Sequence, residues 1–289
     1  MTLIHSLNTW SGGCDGFHPF IQQIAEKSSF LALQEVHDAL APMPDTIMPC
    51  DPGSREFPIR PKLRAELDDI LGTNWQKVYA HHVIGMHDLE ADNRVRFGQY
   101  TAVKRDVWRT LSTYSNYVYG PVNRFNSETE AGDGSPCSKV ATATHVVHIA
   151  SGEEIIIVNV HGFWSLHGKI DMMERREQNR GIDRLVRKTL SQHAARSPHI
   201  LVIGDLNYTS QMDALTHLAL QPCFGENGGV ILNHTYGTTS TRTKYYKKPV
   251  READFAIASR SLLQLIADFK VFLDGVPSDH GLIELTLIH

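Results

Sequence analysis

Short apolar runs rich in branched residues recur along the chain, bounded by Gly, Pro, Asn or Asp, and helical patterns separate only some of them. The pattern predicts strands near residues 2–8, 29–34, 76–84, 98–104, 140–149, 154–161, 199–204, 253–258 and 281–288. Apolar residues recurring at three and four predict helices over 17–27, 60–71, 168–194 and 211–219. The longest, from Lys169 to Ala194, gathers Ile170, Met173, Ile182, Leu185, Val186 and Leu190 on one stripe and fills the rest with charge, as suits a helix covering a sheet. Its Arg175, Arg176 and Arg180 read as a solvated face, with reach toward a functional site as the sharper alternative. Three segments are long enough to line or cover a site: proline-dense Ala41 to Pro61, polar Gly120 to Ser138, and the stretch from about Gly225 to Pro249. No linker, low-complexity tract or repeat divides the sequence, so residues 1–289 are expected to form a single domain of mixed α/β class.

Composition changes this picture only by exclusion. A chain of 289 residues can bury a large core, and its net charge of -4, with acids and bases interspersed, gives no global attraction to nucleic acid or to an anionic membrane. Any basic surface is therefore local. Cys14, Cys50, Cys137 and Cys223 form no CxxC pair, which argues against a zinc ribbon or a thioredoxin-type motif and for reduced thiols. The apolar segment Leu3 to Trp10 is too short and polar for a signal-peptide core, and no apolar stretch approaches the roughly 20 residues that span a bilayer. The expectation is a soluble, cytoplasmic protein without a membrane span.

Candidate chemistry lies where polar side chains meet the strands. Asn8, Glu35, His161, Asp205 with Asn207, and Asp254 each sit at or just beyond the end of an apolar run, and Ser278-Asp279-His280 precedes the last strand. Strand ends in layered α/β proteins converge on one rim. These residue types suit hydrolysis of a phosphate ester, which needs charge neutralised on nonbridging oxygens, an oriented water and help for the departing alkoxide. Glu35 and Asp279 are hard oxygen donors for Mg²⁺. Asp205 can take a proton from the attacking water while Asn207 fixes its orientation. His161 and His280 can donate to phosphoryl oxygens, and Asp254 can lock the tautomer of one imidazole.

Asn8, Leu33-Gln34-Glu35, His161, Gly204-Asp205-Leu206-Asn207, Asp254 and Ser278-Asp279-His280, in this order and spacing, resemble the motif set of the endonuclease/exonuclease/phosphatase superfamily over residues 3 to 287. Any one motif is weak; six in order are strong. The resemblance implies a four-layer α/β/β/α sandwich, with two mostly antiparallel sheets face to face and helices outside. It implies divalent-metal catalysis, Mg²⁺ with Mn²⁺ as a substitute. Glu35 would be the principal ligand with Asp279 and Asn8 beside it, Asp205 would activate water, and His280, paired to Asp254, would contact the phosphate. Histidine at 161 matches deoxyribonuclease-like and sphingomyelinase-like members rather than abasic-site endonucleases, which carry tyrosine there. The forms Val202-Ile203-Gly204-Asp205 and Pro277-Ser278-Asp279-His280 depart from the Trp-x-Gly-Asp and Pro-x-Trp-x-Asp-Arg forms of inositol-polyphosphate phosphatases. Secreted sphingomyelinases carry a signal peptide and usually an apolar hairpin, and neither is evident.

The segment Asn233 to Arg251 holds Arg242, Lys244, Lys247, Lys248 and Arg251 with no acidic residue, interleaved with Tyr236, Tyr245 and Tyr246. Such cations could hold backbone phosphates and such rings could stack on bases; the plainer alternative is a twisted hairpin with a solvated basic edge. Trp164, Arg242, Lys244, Tyr245 and Arg251 are the substrate-binding candidates, whereas Trp10, Trp75 and Trp108 read as core. His81, His82 and His87 lack zinc-type neighbours, and nothing places a base beside Cys14 or Cys137. The expected activity is hydrolysis of a phosphodiester in nucleic acid, by a nuclease or DNA-end phosphodiesterase. A phosphorylated metabolite or lipid headgroup is the alternative substrate, and a non-catalytic phosphate-binding module stays open. A serine hydrolase would need a Gly-x-Ser-x-Gly elbow that is missing.

Overall fold

The computed structural model describes residues 1–48, 58–84, 95–120, 123–124, 138–165, 168–192, 197–238 and 240–289. Cys50, His87 and Cys137 lie outside the described residues, as do 49–57 of the proline-dense segment and most of 120–138. In chain order the elements are β1 (Thr2–Asn8), α1 (Phe17–Lys27), β2 (Phe30–Ala39), α2 (Leu63–Leu71), β3 (Trp75–Ile84), β4 (Val95–Lys104), β5 (Trp108–Tyr119), β6 (Asn123–Arg124), β7 (Lys139–His148) and β8 (Glu154–His161). There follow α3 (Met173–Ser191), β9 (His199–Asp205), α4 (Asp213–Ala219), β10 (Gly229–Ile231), α5 (Leu232–Thr235), β11 (Asp254–Ser259), β12 (Ile266–Phe272) and β13 (Leu282–Leu287).

The strands form a seven-stranded sheet, β12-β13-β1-β2-β4-β3-β6, and a six-stranded sheet, β10-β11-β9-β8-β7-β5. The pairs β1–β2, β3–β6 and β8–β9 are parallel and the others antiparallel. Period-two alternation divides each central strand between two apolar layers. Phe30 and Ala32 of β2 meet Ile155 and Ile157 of β8 and Leu201 and Ile203 of β9 between the sheets. The intervening Leu31 and Leu33 pack outward under Ile21 of α1 and Leu67 of α2. Across the molecule, Ile200 and Val202 pack outward under Ile182 and Leu185 of α3 and Leu215 of α4. Both faces of the central strands are thus covered, which is why they read as unbroken apolar runs, and the four-layer sandwich follows.

Toward one end the inter-sheet layer turns polar. Asn159 donates through Nδ2 to Leu33 O (3.3 Å), Tyr100 O (3.1 Å) and Thr101 Oγ1 (3.1 Å), and its Oδ1 accepts from Gln34 Nε2 at 2.7 Å. This buried network ties β2 and β4 of one sheet to β8 of the other. It sits immediately below Glu35 and His161 in sequence and gives the rim above it a rigid floor.

Several expected elements differ. The helix expected over 168–194 begins at Met173, and Ile170 (51% exposed) and Met173 (62%) stand outside the buried stripe. Residues 168–172 are instead irregular, held by a side chain from the helix they precede. The segment 225–249 is not all loop, since it contains β10 and α5. Strands β5, β6, β10 and β12 have no counterpart in the hydrophobic pattern. Strand β2 runs past Glu35 to Ala39, and Asp254 opens β11 rather than following a strand. No helix among the described residues is long and apolar enough to cross a membrane.

Candidate active site

The inter-sheet face ends in a row of polar side chains. In register, His161 of β8 pairs with Asp205 of β9, and Asp205 pairs with Asp254 of β11, so the three lie side by side. Asn8 ends β1, beside Gln34 of β2. Glu35 would, by alternation, join Leu33 on the helix side. A β-bulge between Gln34 and Val36 and a φ of 57° at Glu35 turn it back toward the row. A side chain in the left-handed region is costly and marks a position held by its surroundings. Gly204 serves a related need: its φ is 141° and a Cβ there would lie 2.1 Å from Val160 O, so only glycine lets β9 approach β8 just before Asp205.

Asp205 is 1% exposed and gripped from both sides: Oδ2 accepts from Asn8 Nδ2 at 2.9 Å and Oδ1 from the Asn207 backbone N–H at 2.9 Å. The same Asn8 amide donates to Glu35 Oε1 at 3.0 Å, so one neutral side chain separates two carboxylates. Asn8 therefore presents its nitrogen to the acids, while its oxygen accepts from Trp10 N–H at 3.0 Å. His161 Nε2 lies 3.8 Å and His280 Nε2 3.5 Å from Asp205 Oδ2. His280 Nδ1 donates to both oxygens of Asp254, each at 2.9 Å. Burial raises the Asp254 carboxyl above its ordinary range and lowers the His280 imidazole to about 4, the nearby Arg242 charge adding to the latter. At neutral pH His280 is consequently uncharged, with its proton on the Asp254 side and a lone pair at Nε2.

Arg242 is buried here. Its Nη1 donates to Asp279 Oδ2 at 2.9 Å and to His280 Nε2, and an isolated bridge sets Arg242 beside His280. Burial opposes its charge, but Asp279, Asp205 and Asp254 outweigh that and keep it firmly protonated. Thr241 Oγ1 accepts the N–H groups of Ala253 (2.9 Å) and Asp254 (3.1 Å), and Ser278 Oγ donates to Asn8 O at 2.7 Å while accepting from His280 N–H at 3.1 Å. The last strand and the first are pinned together at the site by that serine.

Of the other substrate-binding candidates, Tyr245 lies 6.2 Å from the Trp10 ring with Lys244 above it at 5.4 Å, and Trp164 is 42% exposed. Arg251 is spent on structure, donating to Arg242 O (2.6 Å) and Thr243 O (2.9 Å). The row of outward cations expected over 233–251 is therefore reduced to its lysines. Sequence reasoning missed Lys169, whose Nζ donates to Glu252 O and whose pKa falls to about 8 through burial and the Arg242 charge. The hydrophobic pattern puts it in a helix, whereas the structure leaves it in the irregular stretch before α3. Arg175, whose charge suggests a solvated face, is fully buried. It donates to Ile170 O (2.9 Å), Phe163 O (2.9 Å), Asn207 O (3.0 Å) and Gly168 O (3.5 Å), with its guanidinium between the Phe163 (5.5 Å) and Tyr208 (5.4 Å) rings. Neither has a signature in local sequence.

Asp205, Asp254 and His280 approach within 4.8 Å, close enough for an ion. In this structure His280 Nδ1 is hydrogen-bonded to Asp254, so those two side chains are paired with each other. Glu35, Asp205 and Asp279 supply hard oxygens with no thiolate among them, a donor chemistry that fits Mg²⁺ or Mn²⁺.

No protein-family model matches the sequence, and no curated protein matches it. Solved structures do. An endonuclease/exonuclease/phosphatase from Bacteroides vulgatus is similar with a TM-score of 0.63 at 15% identity, covering 99% of each chain. A mannosyl-6-phosphatase from Bacteroides thetaiotaomicron gives 0.60 at 12%, covering 100% of each. The human nocturnin catalytic domain with bound sulfate gives 0.61 at 13%, covering 98% of this chain and 92% of that one. At these identities the likeness speaks for architecture, and by it this chain has the endonuclease/exonuclease/phosphatase fold.

Proposed function

We propose that the chain is a metal-dependent phosphoric ester hydrolase acting by direct attack of water. The observation that carries this reading is the grip on Asp205: an amide and a backbone N–H fix both carboxylate oxygens while two imidazoles face one of them. A water held against Oδ2 would be aimed at a phosphorus on the open side, with Asp205 as proton acceptor. His280 presents a lone pair rather than a proton, so it serves as an acceptor that Asp254 orients. Donation to phosphoryl oxygens then falls to His161 and Arg242. Mg²⁺ bound through Glu35 and Asp279 would supply charge neutralisation at the nonbridging oxygens and leaving group. The mannosyl-6-phosphatase and sulfate-bound nocturnin structures share this fold and support phosphate chemistry by analogy.

Nucleic acid is one substrate reading, favoured by the Trp10–Tyr245 pair and exposed Lys244, Lys247 and Lys248 at its edge. A small phosphorylated metabolite is the other, favoured by the inward turn of Arg242. Cleavage of end-labelled DNA and RNA and release of phosphate from sugar phosphates should both be measured with Mg²⁺, with chelator and with Asp205→Ala. Products that require metal and vanish in the variant support the reading. A folded protein with no turnover on any of these esters overturns it.

A further inference from the structure

Two cations penetrate the carboxylate cluster. Arg242, 5% exposed, spends Nη1 on Asp279 and His280 and lies 4.4 Å from the Tyr246 ring, but its buried Nε–H has no hydrogen-bond partner among the described residues. A buried donor without an acceptor is unfavourable by about 1–3 kcal/mol, and beside a carboxylate cluster it is open to an anionic oxygen. Lys169 reaches the same centre from the segment between His161 and α3. Its Nζ is held on Glu252 O, two residues before Asp254, and its charge is felt by Asp254 and Arg242.

The charge balance is informative. Counted as formal charges, the acids Glu35, Asp205, Asp254 and Asp279 outnumber the cations Arg242 and Lys169, an excess that a divalent ion would offset. A phosphodiester brings one negative charge on two nonbridging oxygens; a monoester at neutral pH brings two on three. Ion, guanidinium and ammonium together match three oxygens. Asp205, Asp254, His280 and Arg242 are all nearly inaccessible, so charge rather than exposed surface distinguishes the centre.

We infer that the site is a receptor for a phosphate dianion, the terminal phosphoryl group of a monoester, with Arg242 and Lys169 taking its nonbridging oxygens. This rests on the hydrolase reading for turnover but not for binding. In the reaction the water oxygen bonds to phosphorus, the bond from phosphorus to the ester oxygen breaks, the water proton passes to Asp205, and the alkoxide leaves as the alcohol after protonation by solvent. The products are the alcohol and orthophosphate.

The test begins with binding, in Mg²⁺, of orthophosphate and of dimethyl phosphate to the full chain carrying Asp205→Asn, by calorimetry. Orthophosphate should bind at least about 10²-fold more tightly, the scale of one lost oriented donor in a water-excluded site. Arg242→Lys and Lys169→Met should each erase most of that difference while leaving the thermal midpoint near that of the parent. Wild-type turnover of p-nitrophenyl phosphate should exceed that of bis(p-nitrophenyl) phosphate by a similar factor. Equal binding of the two anions, or faster turnover of the diester, overturns the inference. Dianion-selective binding without turnover of any ester would uphold the receptor and sink the hydrolase reading instead.

Discussion

Arg175→Met offers a demanding test of how the site is held. Methionine keeps the length and apolar body of the side chain between Phe163 and Tyr208 but removes every donor, stranding carbonyls of Phe163, Gly168, Ile170 and Asn207. A hydrogen bond to a charged group is worth about 1.5–3 kcal/mol. The four are not additive, and the variant also escapes the desolvation that lowers the Arg175 pKa. A net loss of about 3–5 kcal/mol is expected, as for breaking other buried charged networks. At roughly 2–4 °C per kcal/mol for a chain somewhat smaller than this one, the melting point should fall by about 6–20 °C. Phe163 lies two residues past His161 and Asn207 two past Asp205, so loosening both carbonyls should also displace the proposed catalytic groups. A shift on the order of 1 Å can cost about 10²-fold in rate. Urea titration should show a lower midpoint at unchanged slope, with kcat reduced under conditions where the variant is fully folded. A loss below about 1 kcal/mol would falsify the claim that this arginine organises the rim.

Asn8→Leu removes the amide between Glu35 and Asp205, and kcat should drop by about 10²-fold; kcat within a few-fold of wild type would show that the two carboxylates need no donor between them. Burial, with Asp279 and Asp15 nearby, pushes the Cys14 thiol up to about 11, and burial likewise raises Cys223. In a protein with serine at 50 and 137, Ellman's reagent at pH 8 should find both thiols silent until denaturant is added, and rapid native labelling of Cys14 would contradict its assigned environment. The His5 hydrogen bond lowers the Glu284 carboxyl. A depressed carboxyl stabilises the fold above its unfolded-state value and ceases to do so as pH falls through its folded value. Glu284→Gln should therefore be less stable than wild type at pH 7, with the gap closing in acid; a gap that persists at pH 2 would assign the effect to packing.

The central strands were legible because helices or the opposing sheet bury both their faces, which leaves apolar runs that any window detects. All four unanticipated strands, β5, β6, β10 and β12, are the outermost members of the two sheets. An edge strand has one neighbour and more exposed surface, so residues such as Thr110, Ser112, Thr113 and Ser115 of β5 carry little apolar signal. The helix over 17–27 was readable to its boundaries, whereas the one starting at Met173 was extended backward because Ile170 fell in phase by chance.

Sequence by itself determined which side chains are candidates for the chemistry and that they cluster at strand ends, since acids, amides and imidazoles interrupting apolar runs are visible without coordinates. Tertiary structure alone decided their arrangement. A bulge and a left-handed backbone turn Glu35 toward Asn8, sheet register sets His161, Asp205 and Asp254 in one row, and burial makes His280 an acceptor. Burial also converts Arg175 and Arg242 from apparent surface charges into the clamp and the cation of the site. Those outcomes depend on what lies across from each residue in space, and contacts between residues such as 8 and 205, or 242 and 279, leave no mark on the local pattern of the chain.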